Sequence, residues 1–193
     1  FSSLGIALSV AILTVGFFMF DSVNHMMDLQ FRHIQREDLA LTFREILPET
    51  VRYDLANLQG VSRVETYRIV PARLRFGHRE DEVVIQGMEL NAELRRIINA
   101  DNREVPVPAT GIVLSAVLAD RLMVSSGDEL IVEMLEGKRK IAKLLVSGVI
   151  EDFLGVSAYM NKQALWQLSG EANVISGAFL AVDALSLDDI HRQ

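Results

Sequence analysis

The sequence predicts an α+β fold: an N-terminal transmembrane helix and stalk followed by a two-lobed mixed α/β domain. Three observations predict it. The first twenty residues, Phe1 to Phe20, contain no Asp, Glu, Lys, Arg or His. The next sixteen carry apolar residues at helical spacing. From Leu39 onward, short alternating runs are interleaved with tight turns and short helical stretches, the pattern of an α+β domain rather than of a doubly wound sheet.

The opening segment FSSLGIALSVAILTVGFFMF is long enough, at about 1.5 Å per residue, to cross the ~30 Å hydrocarbon core of a bilayer as a helix. A signal peptide would have a basic n-region and a shorter apolar run ending in small residues. This run ends instead in Phe17, Phe18, Met19 and Phe20, side chains suited to a membrane interface. A transmembrane helix is therefore expected at 1–20. The chain opens on Phe with no basic flank before it, which points to a piece of a longer protein.

Val23, Met27, Phe31 and Ile34 then fall on one stripe of a helix, and Asp28 and Arg32 stand four apart in the supporting orientation. An amphipathic stalk over 21–37 follows, with those four residues as its packing stripe. Met26, Met27, Phe31 and Ile34 also offer an apolar surface that parting stalk helices would expose.

Leu39 to Phe43 reads as a strand. Pro48 is placed as the N1 proline of a helix from Glu49 to Leu58, which Gly60 ends. From Val61 to Leu90 the period becomes two, with Val70, Ala72, Leu74 and Phe76 on one face and Arg73 and Arg75 on the other. The Gly77-His78 turn makes this a hairpin with Val83 to Ile85. A short helix is expected at Ala92 to Ile98, then a polar loop, 99–104, as a lobe boundary.

Gly111 to Leu114 reads as a strand and Ser115 as the N-cap of a helix carrying Val117, Leu118, Leu122 and Met123. Ser126-Gly127-Asp128 turns into a hairpin of Glu129 to Leu135 with Ile141 to Ile150. Ala158 to Met160 is a strand, Lys162 to Leu168 a helix and Ser176 to Val182 a last strand. The domain thus runs over 38–183. Residues 184–193, with Ser186 three before Asp189, resemble the start of a return helix to the membrane.

A net charge of −7 and a pI near 5.1 argue against nucleic acid as a partner, because neutralising phosphates needs a basic surface. With no cysteine there is no disulfide, thiolate metal site or cysteine nucleophile. Ser115 lies in Val-Leu-Ser-Ala-Val rather than GxSxG, and Glu151-Asp152, adjacent on a strand, point to opposite faces. His25, Asp28, His33 and Glu37 are ligand types on a solvated stalk and a weak case for metal. No catalytic, cofactor or metal site is assigned. Arg63, Arg68, Arg73, Arg75 and Arg79 form a basic stretch in an acidic protein. It is either the solvated face of a hairpin or, at Arg73, Arg75 and Arg79, a contact for an anionic partner, lipid headgroup or cargo.

The succession GIVLSAVLADRLMVSSGDELIVEMLEGKRKIAKLLVSGVIEDFLGVSAYMN, Gly111 to Asn161, resembles the extracytoplasmic domain of ABC-transporter permeases of the FtsX/MacB/LolC type. VSGVIEDFLGVSAYMN is similar in particular to the second such domain of permeases that carry two. The resemblance implies a mixed lobe contiguous with the stalks and a second lobe inserted in the middle of the chain, at about 61–107. It implies a permease in the bacterial inner membrane, with most of this chain periplasmic or extracellular. It implies a separate cytoplasmic ABC ATPase as partner and site of ATP, in keeping with the lack of a GxxxxGK[ST] loop here. The implied function couples ATP hydrolysis to export or extraction of a lipophilic or protein cargo, with membrane lipid and a periplasmic protein or lipidated cargo as further partners. The alternative is a membrane-anchored, ligand-binding sensor domain. An anchored enzyme is disfavoured by the lack of a catalytic constellation.

Overall fold

The computed structural model describes residues 14–19, 37–97, 99, 103–151, 155–171 and 173–182. Residues 14–19 are helical and exposed. No helix among the described residues is long and apolar enough to cross a membrane. The rest of the expected span at 1–20, the stalk stripe Val23, Met27, Phe31 and Ile34, and the return segment 184–193 lie outside the described residues.

The head begins with β1 (Leu39–Pro48), α1 (Val51–Ala56), and a hairpin of β2 (Val61–Phe76) and β3 (Arg79–Met88). After an irregular segment come β4 (Ile112–Ser115), α2 (Ala116–Leu122), β5 (Glu129–Met134) and β6 (Ile141–Ile150). The chain then forms β7 (Ala158–Asn161), α3 (Lys162–Ser169) and β8 (Val174–Val182). The order across the sheet is β1-β8-β2-β3-β7-β4-β6-β5, and β5 also pairs with β2 from Ala72↔Met134 to Arg75↔Ile131. That last pairing closes the run β2-β3-β7-β4-β6-β5 into a barrel. Outside it, β8 pairs with the first half of β2 and β1 pairs with the far edge of β8.

The barrel interior follows from period-two alternation. Val70, Ala72 and Leu74 of β2 point inward and are fully buried, with Ile85 of β3 and Val132 of β5 among their neighbours in the main core. Leu118 and Leu122 of α2 and Leu165 of α3 complete that core. A separate cluster of Val64, Ala178, Leu180 and Val182, with Leu55 of α1 against it, holds the small sheet.

Ser115 caps α2 as its sequence suggests, accepting from Leu118 N at 3.4 Å. Two local expectations fail. Pro48 does not open a helix but ends β1, paired with Val174, and the helix starts only at Val51. On an outermost strand the missing N–H of proline leaves no ladder bond broken. Ala92 to Ile98 does not form a helix: residues 92–97 are irregular, because the Glu65 carboxylate accepts from Glu93 N at 2.7 Å and Leu94 N at 3.0 Å. Those amides serve a distant side chain rather than a helical turn.

The span 61–107 opens with strands bonded to the rest of the head on both sides. β2 pairs with β8 and β5, and β3 pairs in parallel with β7.

Candidate functional site

At 16 residues, β2 is long enough to belong to both sheets, and the site is the place where it passes from one to the other. Its edge is paired with β8 up to Tyr67↔Gly177 and with β5 from Ala72, with Leu135 N bonded to Pro71 O at 2.9 Å. Between those points the backbone of Ile69 lacks a strand on that edge. Its N–H donates instead to Ser176 Oγ at 3.0 Å, and its carbonyl accepts from Arg68 Nη1 at 2.6 Å. Side chains thus complete the ladder where the sheets diverge.

Arg68 is 2% exposed. Its Nε and Nη2 donate to the two carboxylate oxygens of Glu171 at 3.0 and 2.9 Å, the forked geometry in which guanidinium and carboxylate bind best. Nη2 also lies 3.2 Å from Glu136. A second buried cation stands near the branch. Lys162 of α3 donates to Glu49 at 2.9 Å, to Glu89 at 3.1 Å and to the hydroxyl of Thr66 on β2. Its ammonium sits 5.2 Å from the Trp166 ring centre. Glu49, Arg52, Glu89, Asn91, Lys162 and Trp166 are among the residues around an open cleft of about 390 Å³. Its two cations here are matched by two carboxylates.

The entry of the chain into the head is also fixed. Asp38 N donates to Leu180 O at 2.9 Å, and Asp38 Oδ2 accepts from Val182 N at 2.8 Å. Leu39 then pairs with Leu180, so the first and last strands of the head run side by side. Glu37 is buried, and its Oε1 accepts from Arg95 Nη1 at 2.8 Å. The Arg95 guanidinium lies 5.1 Å over the Phe179 ring, which stacks on Tyr67 with centroids 4.5 Å apart.

The basic stretch is dispersed rather than gathered. Arg63 pairs with Glu93 and Arg68 is buried as above. Arg73 lies between Glu82 at 2.6 Å and Glu133 at 3.4 Å, and Arg75 between Glu80 at 3.8 Å and Glu133 at 3.6 Å. The hydrogen bond to Glu82 raises the Arg73 pKa further, so its charge is permanent. Arg79 forms no ion pair among the described residues. Of the weak metal set, Glu37 is committed to Arg95, while His25, Asp28 and His33 lie outside the described residues. Ser115 Oγ is fully buried and also accepts from Ser157 N at 3.1 Å, which fits a cap and not a nucleophile.

Sequence reasoning missed Arg68, Lys162 and the Glu37–Arg95 pair. One signal pointed to Lys162: a cation in the first turn of a helix opposes the helix dipole and calls for a carboxylate nearby. Nothing local pointed to the other two.

The fold is that of the periplasmic and extracellular domains of ABC-type transporters. It is similar to the extracellular domain of the noncanonical ABC-type transporter YknZ from Gram-positive bacteria, with a TM-score of 0.55 and 17% identity over 81% of this chain and 84% of that one. It is also similar to the periplasmic region of MacB from Actinobacillus actinomycetemcomitans, with a TM-score of 0.50 and 14% identity over 86% of this chain and 73% of that one. A search of curated proteins returns no match. The family model for the MacB-like periplasmic core domain matches residues 1–187, and the chain belongs to that family.

Proposed function

We infer that this chain is part of an ABC permease subunit of the bacterial inner membrane, and that its head lies outside the cytoplasm and works by mechanical coupling rather than catalysis. ATP is hydrolysed on a separate cytoplasmic subunit, and the chain carries no cofactor of its own. The helix from Phe1 to about Arg36 crosses the membrane and transmits the movement upward to drive export or extraction of a lipophilic or protein cargo. Val23, Met27, Phe31 and Ile34 pack the stalk against the returning segment. Arg73, Arg75 and Arg79 contact an anionic partner protein, lipid headgroup or cargo.

The pairing of Leu39 with Leu180 carries this reading. Two strands that lead toward the membrane are bonded to each other, and β8 is bonded in turn to β2, which continues into the barrel. A pull on either strand is therefore a shear on the ladder that joins Leu39–Thr42 to Gly177–Leu180, and the coupled element is a packed one with discrete arrangements. A glycine-proline pair at Asn24 and His25 tests it in the full-length permease. Expected is continued ATP turnover with transport lost; full transport by that variant contradicts the coupling.

A further inference from the structure

We propose that Arg95 is a positioning residue through which stalk movement reaches the irregular segment 89–97, making that segment the first part of the head to answer the transport cycle. This rests on the coupling reading above and names the residue that carries it beyond the strands.

The contacts of Arg95 all lead the same way. Its guanidinium holds Glu37, the last residue of the expected stalk, at the foot of the head. Glu37 is 6% exposed as a side chain, and its second oxygen, Oε2, is buried with no hydrogen-bond partner among the described residues. A buried carboxylate is poorly solvated, and the Arg95 guanidinium is the cation that holds it among the described residues. Movement that displaces Glu37 therefore either drags Arg95 along or leaves a buried charge without its partner.

On its other side Arg95 lies over Phe179 of β8, the strand that leads back out of the head. One guanidinium is thus in contact with the entry residue and with the exit strand, and it senses a change in their relative position. Its own backbone makes only an isolated bridge in a segment without a continuous strand ladder. That segment is fixed by the Glu65 carboxylate on Glu93 N and Leu94 N, by the pair of Arg96 with Glu104, and by the bond of Val105 N to Ile97 O at 2.8 Å. Glu89 at its start is anchored by Lys162, and Leu94 and Ile97 are buried; between these points the contacts are side-chain and loop ones, which give way at lower cost than the barrel ladders. The segment also borders a cleft of about 210 Å³ lined by Leu90, Ala92, Ile97 and Val105 among others, so its displacement changes the shape of an opening on the surface.

The 193 residues carry no cysteine, so a single probe site can be introduced in the head once any cysteine elsewhere in the full-length permease is replaced. A spin label or fluorophore at exposed Asn91 reports the segment, and one at exposed Ala40 reports β1. Both are read in the full-length permease assembled with its ATPase, with and without ATP. The expected result is an ATP-dependent change at both positions. Arg95→Ala then reduces the change at Asn91 severalfold while the change at Ala40 stays as it was; because it leaves the Glu37 carboxylate buried without this cation it also lowers the melting temperature of the head, and the probes are read below that transition. Arg95→Lys, which keeps the charge but not the planar fork, retains part of the response. Glu37→Gln, close in size to the native side chain, gives a second route to the same loss if Arg95→Ala does not fold. An undiminished response at Asn91 in both Arg95→Ala and Glu37→Gln overturns the role of Arg95. A probe at Ala40 that never responds to ATP overturns the coupling reading itself, so the two failures are distinguishable.

Discussion

Tyr67 reaches across Gly177: a β-carbon at that glycine would overlap both the tyrosine hydroxyl and the carbonyl oxygen of Leu41. The bare backbone lets a β2 side chain pass over β8 to β1. There the Tyr67 hydroxyl donates to Leu41 O at 3.1 Å and lies 2.9 Å from Thr42 Oγ1. One residue thus pins all the strands of the small sheet.

Gly177→Ala should for that reason cost more than Tyr67→Phe. The first forces a methyl against backbone that cannot rotate away, an overpacking penalty of about 1–3 kcal/mol, and displaces the tyrosine as well. The second loses hydrogen bonds worth about 0.5–1.5 kcal/mol and keeps the stack on Phe179. Urea denaturation of the head gives the order. A reversed order means that the sheet opens to accept the methyl group.

Arg68→Leu should be among the most damaging single changes in the head. It leaves Glu171 without its forked partner, takes a cation from Glu136 and removes the nearer of the two donors to Ile69 O, leaving the Ser176 hydroxyl at 3.4 Å. Removing one member of a buried pair costs about 3–5 kcal/mol. Arg68→Lys recovers only part, since an ammonium cannot reproduce the fork. Arg75→Gln is the contrasting control, because partly exposed pairs of that kind are worth about 0–1 kcal/mol. Equal midpoints for Arg68→Leu and Arg75→Gln contradict the assignment of Arg68 as the bolt between the sheets.

The Lys162 cluster gives a test by compensation. Lys162→Met alone leaves Glu49 and Glu89 facing each other near Thr66, a loss of about 3–5 kcal/mol. Combining it with Glu49→Gln and Glu89→Gln removes the stranded charges and should recover a large part of that loss. Trp166, the single tryptophan, lies beside the ammonium, so its emission follows unfolding at the site itself. A triple variant no more stable than Lys162→Met shows that packing of the lysine stem, and not charge, dominates there.

Local pattern made some of this legible and long-range pairing hid the rest. Alternation at Val70, Ala72 and Leu74 gave the inward face of β2, and the serine at 115 marked the start of α2, because each depends on neighbours within a few residues. The closure of the barrel by Arg73↔Glu133 pairs residues 60 positions apart and has no local signature. The irregular run at 92–97 was read as a helix because its apolar spacing fits one. Glu65, nearly thirty residues earlier, claims the amides that a helix would have used. The burial of Arg68 was equally hidden: within the sequence it is one arginine of a basic stretch, and only β8 and the residues after α3 set it apart from Arg73.

That distinction changes how the basic stretch should be tested. Reversing Arg73 would place a third carboxylate between Glu82 and Glu133, so Arg73→Glu disturbs the barrel wall by like-charge repulsion whatever it does to a partner. Arg79, next to the Gly77-His78 turn and without an ion pair among the described residues, is free of that confusion. If the hairpin tip meets an anionic partner or lipid headgroup, Arg79→Glu should weaken binding severalfold, more at low than at high salt, and leave the melting temperature within about 1 °C of wild type, as surface changes of under ~0.5 kcal/mol do. Arg73→Gln, which removes charge without adding any, should show a smaller loss. Vesicle co-sedimentation and transport assays on the two variants decide the matter. Unchanged binding and transport with Arg79→Glu would leave the arginines of β2 as partners for the glutamates beside them and nothing more.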